Sequence, residues 1–130
     1  MSMLALDTNA YRALEDGNRI LASEVRKTTA IGMPIVVLGE LFFGFEKGTR
    51  KQVNHSNLKK FLSTSRVEIL RIDEQTARGF GEIAAELSAI GKPIQQDDIW
   101  IASLCKQYGY VLASADAGFK HITGLDVFSF

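Results

Sequence analysis

Gln96-Asp97-Asp98-Ile99-Trp100-Ile101-Ala102-Ser103-Leu104-Cys105 sets two acids directly against a long apolar run. A buried carboxylate is costly unless a cation or hydrogen bonds meet it. A helix that opens on Asp97-Asp98 and then turns apolar on most sides therefore needs a partner for at least one acid. Three more acids stand in similar settings. Asp7 follows the strand-like run Met3-Leu4-Ala5-Leu6, Glu40 lies inside Ile35 to Phe43, and Asp116 comes shortly after Tyr110-Val111-Leu112-Ala113. The expectation is that Asp7, Glu40, Asp98 and Asp116 converge on a divalent metal.

Outward from that stretch, the pattern predicts strands separated by helices. Met3–Leu6 reads as a strand and Asp7 to about Glu15 as a helix. A turn at Asp16-Gly17-Asn18 leads to a second helix from Arg19 to about Ala30, broken by Gly32-Met33-Pro34. Ile35-Val36-Val37 reads as a strand, with a helix from Leu38 to about Lys47. Residues 48–54 read as a loop or an exposed helix start, and Leu58, Phe61 and Leu62 as one helix face. A strand at 66–72 precedes a helix capped by Asp73 and ended by Gly91, with Ala77, Phe80, Ala84 and Leu87 as its apolar stripe. The Asp97–Tyr108 helix ends at Gly109, and strands follow at Tyr110–Ala113 and Leu125–Phe128. With no two-residue hairpin signals, this alternation implies an α/β fold: a parallel sheet of about four to five strands between helices. Functional groups of such sheets collect beyond the carboxyl ends of the strands. Asp7 and Asp116 after strands, and Asp98 and Glu40 near helix starts, are placed to meet there.

Bulk properties narrow the class. The 130 residues fit one domain over 1–130, able to bury about two thirds of its unfolded surface. Hydrophobic content of 46%, charged content of 23% and a formal net charge of zero fit a soluble globular protein and disfavour an indiscriminate electrostatic nucleic-acid binder. The single cysteine, Cys105, leaves no disulfide framework within the chain and fits a reducing, cytoplasmic setting. The longest apolar region, 31–45, is interrupted by Pro34 and Glu40, and no basic segment precedes an apolar one at the N-terminus. Neither a membrane span nor a signal peptide is expected.

Carboxylates without His or Cys suit magnesium or manganese better than zinc. An ion so held polarises a phosphoryl oxygen and lowers the pKa of bound water. Without it, crowding should raise the pKa of at least one acid. Arg12, Lys47, Arg50, Lys51, Lys92 and Lys120 lie near the acids in sequence and could contact phosphates. Tyr11, Phe43, Phe45 and Phe119 offer stacking surfaces. Each acid also has an ordinary structural role, which for Glu40 is not a cap but a pairing with a buried Arg. Asp7 caps a helix, Asp116 caps a turn, and Asp97 reads as the helix cap that leaves Asp98 as the ligand. Asn9 is a helix-start residue or orients Asp7. Ser114 is a strand-end hydroxyl or supports Asp116. His55 and His121 read as surface residues, Cys105 as core, and Trp100 with Phe42-Phe43 as core or interface. A magnesium-binding phosphoacceptor domain would share the architecture, but it wants two adjacent acids after the first strand and a late Lys. A catalytically silent binding module is the other alternative.

The ordered set Leu6-Asp7-Thr8-Asn9, Leu38-Gly39-Glu40-Leu41 with Gly44, Gly91-Lys92-Pro93-Ile94, Asp98-Ile99-Trp100-Ile101-Ala102, Ser114-Ala115-Asp116, Phe119 and Gly124-Leu125 resembles the PIN-domain ribonucleases of the VapC toxin type. The resemblance covers essentially the whole chain. It implies a PIN-like three-layer α/β/α fold and a metal-dependent endoribonuclease, the toxin of a type II toxin–antitoxin pair. It implies Asp7, Glu40, Asp98 and Asp116 as the catalytic quartet, with Mg2+ or Mn2+ on Asp7, Asp98 and Asp116. It also implies an RNA substrate, a homodimer, and a cognate antitoxin whose C-terminal segment covers the site, often with an Arg. Family members often carry Asn where this chain has Asp97, Thr where it has Ser114, and Asn where it has Ala115. The hydroxyl is thus kept and one amide is lost.

Overall fold

The computed structural model describes residues 2–130, so Met1, the first residue of the expected domain, lies outside them. Among the described residues the elements are β1 (Met3–Leu6), α1 (Thr8–Glu15), α2 (Arg19–Lys27), β2 (Ala30–Pro34), α3 (Ile35–Lys47), α4 (Lys51–Leu62), β3 (Val67–Leu70), α5 (Glu74–Ala89), α6 (Gln96–Tyr108), β4 (Val111–Ala113) and β5 (Val127–Phe128). A short 3-10 turn, Ala117–His121, lies between the last two strands. The sheet order is β3-β2-β1-β4-β5 and every pairing is parallel. The chain steps from β1 to β2 and β3 on one side, then crosses to β4 and β5 on the other. Right-handed crossovers put the helices of those two directions on opposite faces, giving the three-layer α/β/α arrangement. β1 is central and buried on both faces, which is why it reads Leu4-Ala5-Leu6 without alternation. No helix among the described residues is long and apolar enough to cross a membrane.

Three expectations about local structure are corrected. Helix α2 stops at Lys27, the second strand is Ala30–Pro34, and Ile35-Val36-Val37 opens α3. The run is apolar throughout, so periodicity cannot place that boundary. Gly32 is a strand residue chosen for space: a Cβ there would lie 2.9 Å from the Tyr110 ring and 3.0 Å from Leu70. Pro34 closes the strand and starts the helix with φ −55°. Helix α6 begins at Gln96 with Gln95 as its N-cap, so Asp97 is not the cap. On α5 the buried positions are Thr76, Ile83 and Leu87, whereas Ala77 is exposed.

Thr76 is buried because its polar atoms are satisfied. Its hydroxyl bonds Gln107, and its carbonyl accepts from Ser103 Oγ at 2.8 Å. With Asp73 it forms a capping box: Asp73 Oδ1 accepts from the Thr76 N–H at 3.2 Å, and Thr76 Oγ1 accepts from the Asp73 N–H at 3.0 Å. Close approach of α5 and α6 requires Gly79, where a Cβ would overlap Ser103 Oγ. Gly79→Ala is therefore expected to lower the urea midpoint. The helix-propensity gain of up to about 1 kcal/mol is outweighed by overpacking of roughly 1–3 kcal/mol and the broken Ser103–Thr76 bond. An unchanged or raised midpoint would show that the two helices separate freely.

Candidate active site

The order of strands reverses beside β1, between β1 and β4, and the acids gather there. Leu6 ends β1 and pairs with Ala113, the last residue of β4. The next residues on each strand, Asp7 and Ser114, are both buried. Asp7 is the N-cap of α1, its Oδ1 accepting from the Ala10 N–H at 2.8 Å. Burial pushes the Asp7 carboxyl up, hydrogen bonds from Ser114 and the Ala10 N–H hold it down, and Asp116 raises it further. Ser114 therefore supports two acids. Its hydroxyl donates to Asp7 and its Oγ accepts from the Asp116 N–H at 3.0 Å. Asp116 lies on the surface and caps the 3-10 turn, Oδ1 accepting from the Gly118 N–H at 2.8 Å. The cap role and a place in the acid cluster thus coexist at both aspartates. Asn9 is exposed in the first turn of α1.

Asp98 enters from the first turn of α6, whose N-terminus points at the carboxyl ends of the strands. Its carboxyl is pushed up to about 6, first by burial and then by Asp116, Glu40, Asp7 and Asp97 in that order. The other three expected acids are thus within electrostatic reach of Asp98, with exposed Asp97 the weakest contributor. Asp98 and Asp116 line one cavity of about 310 Å3 with Gln95, Ile94 and Phe119. Glu40, half-buried in the second turn of α3, accepts a hydrogen bond from the Thr8 hydroxyl. Thr8 is a functional candidate that the sequence does not single out, because its partner lies 32 positions away. Its place directly after Asp7 was the available signal.

A raised carboxyl pKa has a defined sign. The folded state holds the Asp98 proton more tightly than the unfolded chain does. Stability is therefore unaffected below the ordinary value of 3.8 and is lost as pH rises through about 6. In chelator, the parent should lose more thermal stability than Asp98→Asn between pH 4 and pH 7. Parallel pH profiles for the two proteins would contradict the buried, crowded carboxyl.

The donor chemistry fits a hard divalent cation: carboxylate oxygens, no thiol or imidazole, and like charges that crowd one another. Among the described residues no three His, Cys, Asp or Glu side chains are grouped tightly enough to enclose an ion by themselves. The expected trio of Asp7, Asp98 and Asp116 is therefore an open set rather than a closed cage. Magnesium and manganese sites of few carboxylates completed by water are open in the same way.

The cations are dispersed. The Arg12 guanidinium lies over Gly44, and Arg12 and Arg50 line a second cavity between α1 and α4. The Lys47 ammonium sits 4.8 Å from the Phe43 ring. Lys51 pairs with Glu46 at 2.9 Å. Lys92 and Lys120 are exposed and line neither cavity. His55 is half-buried instead of a surface residue. It stacks on Phe42 at 5.3 Å, because two aromatic rings of α3 flank its place on α4. Cys105 is fully buried and burial pushes its thiol up, which makes it an inert core side chain. Trp100 packs on Phe80 with ring centroids 4.4 Å apart.

The PIN-domain family profile matches residues 4–125. Ribonuclease VapC2 of Haemophilus influenzae (strain ATCC 51907 / DSM 11121 / KW20 / Rd) is 38% identical over 79 residues, which is 61% of this chain and 58% of that protein. The match thus spans less than two thirds of that relative's length. The tRNA(fMet)-specific endonuclease VapC of Salmonella typhimurium is 31% identical over 101 residues, 77% of this chain and 75% of that protein. Among solved structures, VapBC2 from Rickettsia felis bound to a DNA fragment from its promoter superposes with a TM-score of 0.87 and 28% identity, covering 98% of each chain.

Proposed function

The chain belongs to the PIN-domain family, and from that membership and its acid cluster we propose that it is a divalent-metal-dependent endoribonuclease, the toxin of a toxin–antitoxin pair. The observation that carries the reading is Asp98. A carboxyl raised to about 6 first by burial and then by Asp116, Glu40, Asp7 and Asp97 is an arrangement that costs stability and that a bound cation would relieve. Ribonuclease and endonuclease names among the relatives support RNA as the substrate. The VapBC architecture of the structural neighbour supports a cognate antitoxin.

Asp7, Asp98 and Asp116 would hold Mg2+ or Mn2+. When bound, the ion would polarise the scissile phosphate and make a water more acidic. Ser114 fixes Asp7 and the Asp116 backbone together, so two of the three acids keep one orientation. Thr8 fixes Glu40, whose carboxylate faces the same cluster and is the group assigned to take the proton of the attacking water. Arg12 and Arg50, which line one cavity, are assigned as phosphate contacts, with Lys47 and Lys92 as outer contacts. Phe42 and Phe43 on α3 are exposed, Phe43 to 64%, and are assigned to the homodimer interface.

The test is incubation of the chain with a structured RNA pool in Mg2+, in Mn2+ and in chelator. Internal cuts that need the metal are expected. Intact RNA in both metals, or cuts that persist in chelator, would refute the assignment.

A further inference from the structure

The cavity between α1 and the start of α4 has a volume of about 500 Å3 and is larger than the one at Asp98 and Asp116. Its position follows from the α1–α3 register. Thr8 of α1 bonds Glu40 of α3. Four residues on, a Cβ at Gly44 would stand 2.6 Å from the Arg12 Nη2, so the guanidinium occupies the space that glycine leaves. The cavity therefore opens one helical turn beyond Glu40, roughly 6 Å along the helix. That is about one nucleotide step from the acids.

We propose that this cavity is the subsite for an unpaired guanine nucleotide of the RNA substrate, seated beside the bond that is cut. The proposal rests on the nuclease reading and adds what that reading leaves open, the identity of a recognised base. Arg12 and Arg50 both line the cavity, and the four ion pairs among the described residues use neither of them. Two free guanidiniums are donors for a phosphate and for the O6 and N7 acceptors of a purine edge. Asn54 and Asn57 add amides on the α4 side. Glu15 supplies the discriminating group. Guanine presents two adjacent donors, N1–H and the N2 amino group, which match one carboxylate. Adenine presents an acceptor at N1, which a carboxylate repels. Glu15 lines the cavity on α1 together with Asp16, and it belongs to none of the ion pairs among the described residues. A protein segment would also bring charged groups, but two guanidiniums, two amides and the carboxylates of Glu15 and Asp16, set beside Tyr11 and Phe45, match the polar edge and flat body of a base. RNA recognition commonly works this way, on splayed bases read along their edges.

The test is calorimetric titration of the intact chain with the four nucleoside 5′-monophosphates. Chelator keeps the acid cluster from capturing phosphate through a metal. Guanosine 5′-monophosphate is expected to bind about tenfold more tightly than the other three, and Glu15→Gln is expected to abolish that preference. Equal binding of all four, no binding of any, or a preference that survives Glu15→Gln would overturn the subsite. A second readout separates this from the reading beneath it. Cut sites mapped in a structured RNA pool should have guanine enriched beside the cleaved bond. Metal-dependent cuts without guanine enrichment would overturn the subsite and leave the nuclease standing. An RNA pool left intact in every metal would overturn both.

Discussion

Asp98→Asn is expected to reduce metal-dependent RNA cleavage by more than about 100-fold while leaving the metal-free fold at least as stable as the parent. The size follows from position. Loss of a group that merely orients a ligand costs roughly 10- to 100-fold, and Asp98 is placed in the cluster itself. The opposite sign for stability follows from the same surroundings. A carboxyl raised to about 6 by burial and by Asp116, Glu40, Asp7 and Asp97 is largely ionised at neutral pH against the preference of its site. Asparagine keeps the shape and removes the charge. The site is open enough that solvent screens part of the gain. Single-turnover cleavage and thermal unfolding in chelator measure the two halves. Loss of activity together with loss of stability would make Asp98 a structural residue. Unchanged activity would remove it from the site.

The largest stability effect should come from the helix that carries Asp98. Behind its acidic first turn, α6 buries Ile99, Ile101, Ala102, Ser103, Leu104 and Cys105, so it packs on most of its circumference. Leu104 has 0% exposure. Leu104→Ala removes buried methyl groups and leaves a cavity that surrounding strands and helices can fill only in part, at a cost of about 2–5 kcal/mol. For a domain whose whole stability is of the order of 5–15 kcal/mol, that is a large share. Val53, exposed on α4, is the contrast, and its truncation should stay within about 0.5 kcal/mol. Urea midpoints of the two variants decide it. A Leu104→Ala protein within 1 kcal/mol of the parent would show that the α6 packing is loose.

What could be read in advance was whatever local chemistry dictates. The buried run Leu4-Ala5-Leu6, the Asp73 cap with Gly91 and Gly109 as helix ends, and the alternation of strand and helix all gave the parallel α/β layout. Acids directly after strands marked the pole where the acids gather. Features set by tertiary partners were not readable. Within the strand Ala30–Pro34, Gly32 leaves room for the Tyr110 ring, a partner that nothing near position 32 announces. The α5 face turned toward Thr76 because Gln107 and Ser103 of α6 satisfy that hydroxyl and carbonyl. Four polar residues in a row, Gln95-Gln96-Asp97-Asp98, all suit a helix start, so composition favours Asp97 as the cap where Gln95 holds that place. Glu40 stood out as an acid without a capping role, but its partner Thr8 came from another element. Arg12 and Arg50 were visible as cations near the acids, whereas the cavity they share depends on α1 and α4 meeting.

The most direct test of the account is an anomalous-difference map from a crystal of the intact chain soaked in Mn2+. The account predicts a peak at the carboxyl ends of β1 and β4, within roughly 2.0–2.5 Å of carboxylate oxygens of Asp98 and at least one of Asp7 and Asp116. The peak should be absent in Asp98→Asn. No peak at that pole in the parent, or one that persists unchanged in the variant, would contradict it.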